Sequence, residues 1–96
     1  VLVPRHGVYA ARVFLVSGER LMAVSNIGVR PTVSGGDQVS VESYILDYEG
    51  DLYERRVRVE FHHFIRDEEK FPNTAALREQ IQRDADTTRA YFAENP

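Results

Sequence analysis

Short apolar runs in the first half of the chain predict β-strands. Residues 7–16 carry apolar side chains at odd and even positions alike, so we expect a strand that is buried on both faces. Ser17-Gly18-Glu19 is a turn signal, and residues 20–25 return as a second strand. The two runs therefore predict a hairpin.

Residues 26–38 break this pattern and are predicted to form a loop. Glycine and proline both interrupt the hydrogen-bond ladder of a strand, and the stretch contains several of them. They are Gly28, Pro31, Gly35 and Gly36. A loop of this length in so small a domain is more often functional than incidental.

Two more strands are predicted after this loop. The third covers residues 39–48, Glu49-Gly50-Asp51 forms a turn, and the fourth covers residues 55–64. Within the fourth strand, apolar residues alternate with charged and polar ones. That alternation is typical of an antiparallel strand with one face in solvent.

The end of the chain predicts a single helix. Asn73 or Thr74 can cap its start, and one helical stripe then recurs at spacings of three and four. Its members are Leu77, Ile81, Ala85, Thr88 and Phe92. The whole pattern indicates one mainly β domain over residues 1–96, an antiparallel sheet or barrel with one C-terminal α-helix.

Composition narrows the range of functions. The chain has 96 residues, of which 43% are hydrophobic and 28% charged, as expected for one small globular domain. Its net charge is −3 and its basic residues are interspersed with acidic ones, so we expect no nucleic-acid partner. No apolar run reaches the roughly 18 residues that a membrane span needs. There is no cysteine for a disulfide or a thiolate metal site.

The start of the chain and its histidines add further expectations. Residues 1–4 are too few and too uncharged for a signal peptide, so a cytoplasmic location is expected. The chain also lacks an initiating Met, which indicates a piece of a longer protein. His62 and His63 are neighbours on a predicted strand and should point to opposite faces, so we expect no histidine metal site.

Glu42 is the leading candidate for catalysis. It is an acidic residue in the middle of the third strand and should share a face with Ser40 and Tyr44. If that face lines a pocket, the carboxylate can accept a proton from a substrate hydroxyl, and such general-base assistance is worth roughly 10²–10⁴-fold in rate. The alternative is an ordinary glutamate on the solvent face of the strand.

The stretch from Asn26 to Thr32 is a candidate ligand-binding element. Asn26 can hold a turn through its side chain, Gly28 permits positive φ or the close approach of a ligand, and Pro31 stiffens the exit. Exposed backbone amides in such a loop can bind an anion. The alternative is a connection that merely turns the chain.

The segment after the fourth strand is a second candidate. Arg66 can pair with a phosphate or with Glu68 and Glu69. Phe71 can stack on a flat ring or cap the helix hydrophobically. The alternative is a charged loop anchored by one phenylalanine.

Five motifs in a fixed order resemble the riboflavin kinase domain of bacterial flavin-synthesising enzymes. They are Pro4–Ala10, Asn26–Thr32, the strand Val39–Leu46 around Glu42, Gly50–Tyr53 and Ile65–Phe71. Glu54 stands where the family typically continues with Gly. Asp84 and Asp86 are most simply solvated, although the similarity of Gln80–Asp84 to the family's helix implies that Asp84 contacts a neighbouring loop.

The resemblance implies a fold and an activity. The fold is a six-stranded antiparallel Greek-key β-barrel with one C-terminal helix. The activity is transfer of the γ-phosphate of ATP, with Mg²⁺ or another divalent cation, to the terminal ribityl hydroxyl of riboflavin, giving FMN. The resemblance implies Glu42 as the catalytic base. The residues that it implies for flavin and nucleotide binding are Asn26, Gly28, Arg30, Thr32, Tyr44, Arg66 and Phe71.

A second departure from the family lies at the start of the chain. A family segment ending in Pro-Thr-Ala-Asn, which holds the metal and phosphates, would precede Val1, and Pro31-Thr32 matches a different family segment. We therefore expect a domain that is nearly inactive alone, from a parent that commonly carries an adenylyltransferase domain before it. A barrel lacking its opening strand would also expose a sheet edge through which the chain could self-associate.

The rival interpretation is a non-catalytic barrel that binds a flavin or a nucleotide. It predicts that Glu42→Ala is silent in every assay, whereas the kinase interpretation predicts a large loss of turnover with a modest loss of flavin binding. A nucleic-acid-binding barrel is disfavoured, because such sites combine basic grooves with stacking aromatics and the sequence provides no basic groove.

Overall fold

Four strands and one helix make up the part of the chain that the computed structural model describes, residues 5–31, 33, 35–48 and 57–96. The strands are β1 (Gly7–Leu15), β2 (Arg20–Pro31), β3 (Asp37–Ile45) and β4 (Val57–Arg66), and the helix is α1 (Thr74–Glu94). The predicted mainly β fold with one C-terminal helix is confirmed.

The strands form one antiparallel sheet in the order β3-β2-β1-β4. The first three are neighbours in sequence order, and β4 returns to the far side of β1, which is the Greek-key arrangement. The resemblance implies six strands, and the described residues contribute four. Among these four, β3 and β4 stand at opposite ends of the order.

β1 is buried along nearly its whole length, as its two-sided apolar pattern predicted. It is paired with β2 on one side and with β4 on the other. On one face of the sheet Val13, 1% exposed, packs with Leu21 of β2. On the other face Val8 packs with Val24 of β2 and with Ala85 of α1. β1 therefore belongs to two hydrophobic clusters at once.

β2 is longer than the sequence pattern predicted. It ends at Pro31, so the loop predicted over residues 26–38 is wrong in its first part. Asn26, Gly28 and Arg30 lie on the strand, and each stands opposite a residue of β3. The long ladder with β3 outweighs the local preference of glycine, and Pro31 is accommodated because it is the last residue of the strand.

The other strand boundaries also differ from the prediction. β3 covers residues 37–45 instead of 39–48, and β4 ends at residue 66 instead of residue 64. The end of β4 is extended because its last residues still pair with β1. Outside the described residues lie Thr32, the predicted turn at 49–51, the Gly50–Tyr53 motif and the start of the predicted fourth strand.

Irregular pairing between β4 and β1 changes where side chains of β4 point. His62 and Ile65 have no partner in the register, although their neighbours do, which is the pattern of a β-bulge. The prediction that His62 and His63 point to opposite faces is therefore wrong. The His62 ring lies 5.4 Å from the Phe92 ring, and the His63 ring stacks on Tyr91 at 4.8 Å. Both histidines thus contact α1.

α1 covers one face of the sheet. Asn73 caps its start, as predicted, because its Oδ1 accepts a hydrogen bond from a backbone N–H of the first turn at 2.8 Å. Ala85, Thr88 and Phe92 of the predicted stripe are buried, whereas Leu77 is partly exposed. Within the described ranges, no helix combines the length and the apolarity that a membrane span requires.

Candidate functional site

A cleft of about 430 Å³ opens between the sheet, α1 and residues 67–71, which follow β4 and are called the 67–71 segment below. It is lined by residues from β1, β2, β3, β4, the 67–71 segment and α1. Five of the residues predicted for the site are among them. They are Asn26, Glu42, Tyr44, Arg66 and Phe71.

Asn26 and Glu42 stand directly opposite each other on β2 and β3. Residues paired in this way project to the same side of a sheet, and both line the cleft. Glu42 is exposed, as its position on the last strand of the described sheet allows. A carboxylate and an amide are therefore side by side on a rigid part of the sheet.

The amide of Asn26 has hydrogen-bonding capacity to spare. Its Oδ1 is buried and has no hydrogen-bond partner among the described residues. Buried polar atoms are nearly always paired in native proteins, so this atom is an acceptor available to a ligand hydroxyl.

Tyr44 marks the boundary between this cleft and a second opening of about 800 Å³. Its side chain is 59% exposed and, with Ile81 of α1, lines both spaces. The second opening is bordered by Tyr48, Arg78 and Arg89. The two spaces adjoin, so a ligand larger than the cleft can extend past Tyr44.

Gly28 serves the site through its missing side chain. Its φ lies outside the positive region, and a Cβ at this position would collide with the carboxylate of Glu68. The sequence predicted the close approach of a ligand at Gly28, but the group that approaches is the side chain of Glu68. The 67–71 segment consequently rests on β2 beside Asn26.

Arg66 and Asp84 form a buried ion pair at the edge of the cleft. Nε of Arg66 donates to Oδ1 of Asp84 at 3.0 Å, and Nη2 donates to Oδ2 at 2.8 Å. These hydrogen bonds raise the pKa of Arg66 above its ordinary value, since they stabilise the charged guanidinium. Asp84 was not among the predicted partners of Arg66. The charge of Glu69, which was, also raises the pKa of Arg66, and the pairing with a phosphate stays a prediction.

The reading of Asp84 as a solvated residue is wrong. It is 2% exposed, and it also accepts a hydrogen bond from Nε2 of Gln80 at 3.0 Å. The helical spacing indicates this burial, because Asp84 follows Ile81 by three positions and precedes Thr88 by four, which places it on the stripe that faces the sheet. The neighbouring Asp86 is exposed, as predicted.

Gly7 allows the end of β4 to approach β1 closely enough for this ion pair. It has a φ of +146°, and a Cβ there would meet the ring of Phe64 and the carbonyl oxygen of Arg66. L side chains rarely adopt such a φ. A glycine at the start of β1 therefore fixes where Arg66 leaves the sheet.

Phe71 completes the apolar side of the cleft. It is half-buried and lines the cleft together with Leu77 and Ile81 of α1. The guanidinium carbon of Arg66 lies 5.7 Å from the centre of its ring. These side chains provide a surface against which a flat ring can pack.

Arg30 and Thr32 complete the set of residues predicted for the site. Arg30 lies on β2 opposite Gln38, two positions beyond Gly28 and further along the strand from Asn26. Thr32 lies outside the described residues. Their ligand-binding roles stay predictions.

The charges around the cleft are mostly negative. Among the described residues, its lining contains four carboxylates and one guanidinium, that of Arg66, which is paired with Asp84. The other three carboxylates are those of Glu42, Glu68 and Glu69. Within the described residues, no group of three or more His, Cys, Asp or Glu is placed to hold a metal ion.

Comparison with known proteins gives several independent matches. The model of the flavokinase family, described as riboflavin kinase, matches residues 1–92. The bifunctional riboflavin kinase/FMN adenylyltransferase of Haemophilus influenzae is 44% identical over 89 residues, which are 93% of this chain and 29% of that protein. The proteins of the same name from Pseudomonas fluorescens and Bacillus subtilis are 43% and 35% identical over 95% and 96% of this chain, and 29% of each of them.

A solved structure agrees with the fold. The crystal structure of a protein described as a macrolide-efflux protein from Streptococcus pneumoniae matches with a TM-score of 0.82 at 30% identity. The match covers 92% of this chain and 28% of that chain. The chain thus spans less than a third of the length of the curated relatives and of this structural neighbour.

Proposed function

This chain belongs to the riboflavin kinase family, and from that premise we propose that it phosphorylates riboflavin within a longer protein. The reaction transfers the γ-phosphate of ATP to the terminal ribityl hydroxyl and gives FMN and ADP. One observation carries the proposal: Asn26, Glu42 and Phe71, distant in sequence, line one cleft.

Glu42 acts as the general base in this proposal. Its carboxylate accepts the proton of the terminal ribityl hydroxyl while the oxygen attacks the γ-phosphorus. The bond between the γ-phosphorus and the bridging oxygen breaks, and ADP leaves with the electron pair. Base assistance of this kind contributes roughly 10²–10⁴-fold, and positioning of the phosphoryl group contributes most of the remainder.

The other lining residues orient the flavin. Oδ1 of Asn26, buried and directly across the ladder from Glu42, accepts a hydrogen bond from the ribityl chain. Phe71, Leu77 and Ile81 provide the apolar side for the isoalloxazine ring. The ribityl chain is neutral, so it tolerates the carboxylates that surround it.

A divalent cation, Mg²⁺ in the first instance, accompanies ATP in this proposal. The described residues do not fit as its complete ligand set, because they contain no suitable group of three or more His, Cys, Asp or Glu. The cation requirement is measured with the longer protein.

The longer protein is proposed to be bifunctional. The curated relatives are named bifunctional riboflavin kinase/FMN adenylyltransferase, and this chain covers 29% of the first of them. An adenylyltransferase domain in the same protein would convert FMN to FAD. A cytoplasmic location, where ATP and FMN are both available, is part of the same proposal.

Self-association is a further element of the proposal. β3 and β4 stand at opposite ends of the described sheet, and an unpaired strand edge can pair with a second copy of the chain. We expect the weight-average mass in sedimentation velocity to rise with protein concentration. A mass that stays monomeric across a hundredfold range of concentration would exclude pairing at these edges.

The proposal is tested by ATP-dependent conversion of riboflavin to FMN. The 96-residue chain and the longer protein that carries it are assayed side by side with Glu42→Gln in each. We expect FMN formation in the longer protein, almost none with the chain alone, and a large loss with Glu42→Gln. Flavin binding without any FMN formation in the longer protein would favour a non-catalytic binding domain instead.

A further inference from the structure

Asp84 is a buried carboxylate for which the proposed reaction has no use. Its side chain is 3% exposed, and its oxygens accept hydrogen bonds from Nε and Nη2 of Arg66 and from Nε2 of Gln80. Burying a charged pair is costly unless the geometry satisfies both partners, and here both carboxylate oxygens are satisfied. This pair ties α1 to the last residue of β4.

On its other side Arg66 contacts the 67–71 segment. Its Nη1 donates to the carbonyl oxygen of Asp67 at 3.1 Å, and its guanidinium carbon lies 5.7 Å from the centre of the Phe71 ring. Because Asp84 engages Nε and Nη2 together, the plane of the guanidinium is fixed. The start of the 67–71 segment is fixed with it.

The same segment is also held against the sheet. The carboxylate of Glu68 occupies the space beside Gly28 on β2, and Phe71 lines the cleft. The segment therefore reaches from the α1 side of the cleft to its β2 side and forms one of its walls. Its attachment at the α1 side depends on Arg66, whose buried partner is Asp84.

We propose that Asp84 is a positioning residue: through Arg66 it holds the 67–71 segment so that Phe71 forms a wall against a flat aromatic ring bound in the cleft. The identity of the ring as the isoalloxazine of riboflavin rests on the proposed function. The connection from Asp84 to the 67–71 segment is made by side chains of the protein and involves no ligand. It can therefore be tested without a ligand.

The ligand-free test uses Lys70, which is the sole lysine of the chain and is exposed within the segment. A lysine-specific protease can cut the native protein only there. Cleavage of a native protein follows the population of the opened segment. We expect Asp84→Asn, which removes the charge and keeps the shape, to raise the cleavage rate about tenfold, or 1.4 kcal/mol of opening free energy.

Two control variants separate local release from general loss of stability. Glu79→Gln removes an exposed ion pair with Arg83 on the same helix, where the Nη2–Oε1 distance is 2.6 Å, and should leave the rate unchanged. Val13→Ala weakens the hydrophobic cluster on the other face of the sheet. If Asp84→Asn is cleaved no faster than Val13→Ala when the two variants are compared at the same free energy of unfolding, the positioning role is overturned.

The ligand test is a double-mutant cycle in riboflavin binding, followed by quenching of flavin fluorescence. Asp84→Asn and Phe71→Ala should each weaken binding about tenfold, and the double variant should be no weaker than Phe71→Ala alone, because both changes remove the same wall. Independent, multiplying effects would mean that Asp84 does not act through Phe71 and would overturn the proposal.

The two tests distinguish the inference from the function on which it rests. Faster cleavage at Lys70 in Asp84→Asn, with no flavin binding by the unmodified chain or by the longer protein, would support the positioning role and refute the riboflavin assignment. Flavin binding that is unaffected by Asp84→Asn would refute the positioning role and support the riboflavin assignment.

Discussion

β1 and β3 are both nine residues long, yet they differ in burial and in use. β1 lies between two strands, and its Val13 is 1% exposed, whereas β3 stands at one end of the four described strands and its Val41 is 51% exposed. Burial of apolar area stabilises a fold, and exposure leaves side chains accessible to a ligand. The comparison teaches that the strand that supplies core residues and the strand that carries the proposed catalytic base are different strands of one small sheet.

The largest effect is expected from Glu42→Gln in β3. Turnover of riboflavin in the longer protein should fall roughly 10²–10⁴-fold, because the amide cannot accept the proton, while the circular dichroism spectrum of the native fold is retained. Initial rates of FMN formation measure the first quantity and circular dichroism the second. Glu60→Gln on β4, whose partners are Arg58 and His62, is the matched control. Equal turnover in both variants would contradict the proposed role of β3 in catalysis.

A matched pair of valine substitutions sharpens the comparison on its stability side. Val13→Ala in β1 should lower the free energy of unfolding by about 2 kcal/mol, because it leaves a cavity in a packed cluster. Val41→Ala in β3 should change it by less than about 0.5 kcal/mol. Urea denaturation of the two variants gives both values. Similar losses would mean that β3 supports the fold as much as β1 does.

Two glycine substitutions are expected to affect stability and riboflavin affinity separately, by smaller amounts than the substitutions above. Gly28→Ala on β2 displaces the flexible end of Glu68, so stability should change by less than about 0.5 kcal/mol and riboflavin affinity should fall a few-fold. Gly18→Ala should lower stability, since its φ of +93° disfavours a side chain. It should leave riboflavin affinity unchanged, since no atom lies within 4 Å of the added Cβ. Flavin titration and urea denaturation of both variants test this. Unchanged flavin affinity in Gly28→Ala would contradict the proposed wall.

The smallest effect concerns Asp47, which follows β3 and pairs with Arg89 of α1 at 2.9 Å. The hydrogen bond from Arg89 lowers the pKa of Asp47. The pair therefore adds stability above the unfolded pKa of about 3.9 and loses it as the pH falls through the lower folded value. Asp47→Asn should make the fall in thermal midpoint below about pH 4 shallower. An identical pH profile in the variant would contradict this role.

The elements that the sequence predicted well are those whose pattern is dense and local. β1 carries apolar residues on both faces, the turn before β2 contains Gly18, and α1 has both a capping asparagine and a regular stripe. Each of these signals is complete within a few residues of the chain. No distant partner is needed to interpret it.

The extension of β2 could not be predicted in the same way. Gly28 and Pro31 locally disfavour a strand, and the pairing that overrides them is with β3, a separate segment. The register of that pairing also decides that Asn26 faces Glu42, and register depends on turn geometry that the sequence does not specify. Both residues could be named from the sequence, but their juxtaposition could not.

The same limit applies to the bulges of β4 and to the Arg66–Asp84 pair. An extra residue in β4 brings His62 and His63 to α1, and nothing in the local sequence marks it. Asp84 was recognisable as sheet-facing from its helical position, but its partner depended on where β4 ends. Contacts between elements, rather than the elements themselves, were the unpredictable part of the site.

The Greek-key return of β4 to β1 has a consequence for the order of folding. β1 finds β2 across a short turn, but it meets β4 only after a much longer stretch has closed, and such distant contacts form late because loop closure is entropically costly. We expect hydrogen exchange during refolding to protect the β1–β2 hairpin before β4. A nascent chain that has left the ribosome only as far as β3 therefore carries Glu42 but has no enclosure in which to retain a flavin.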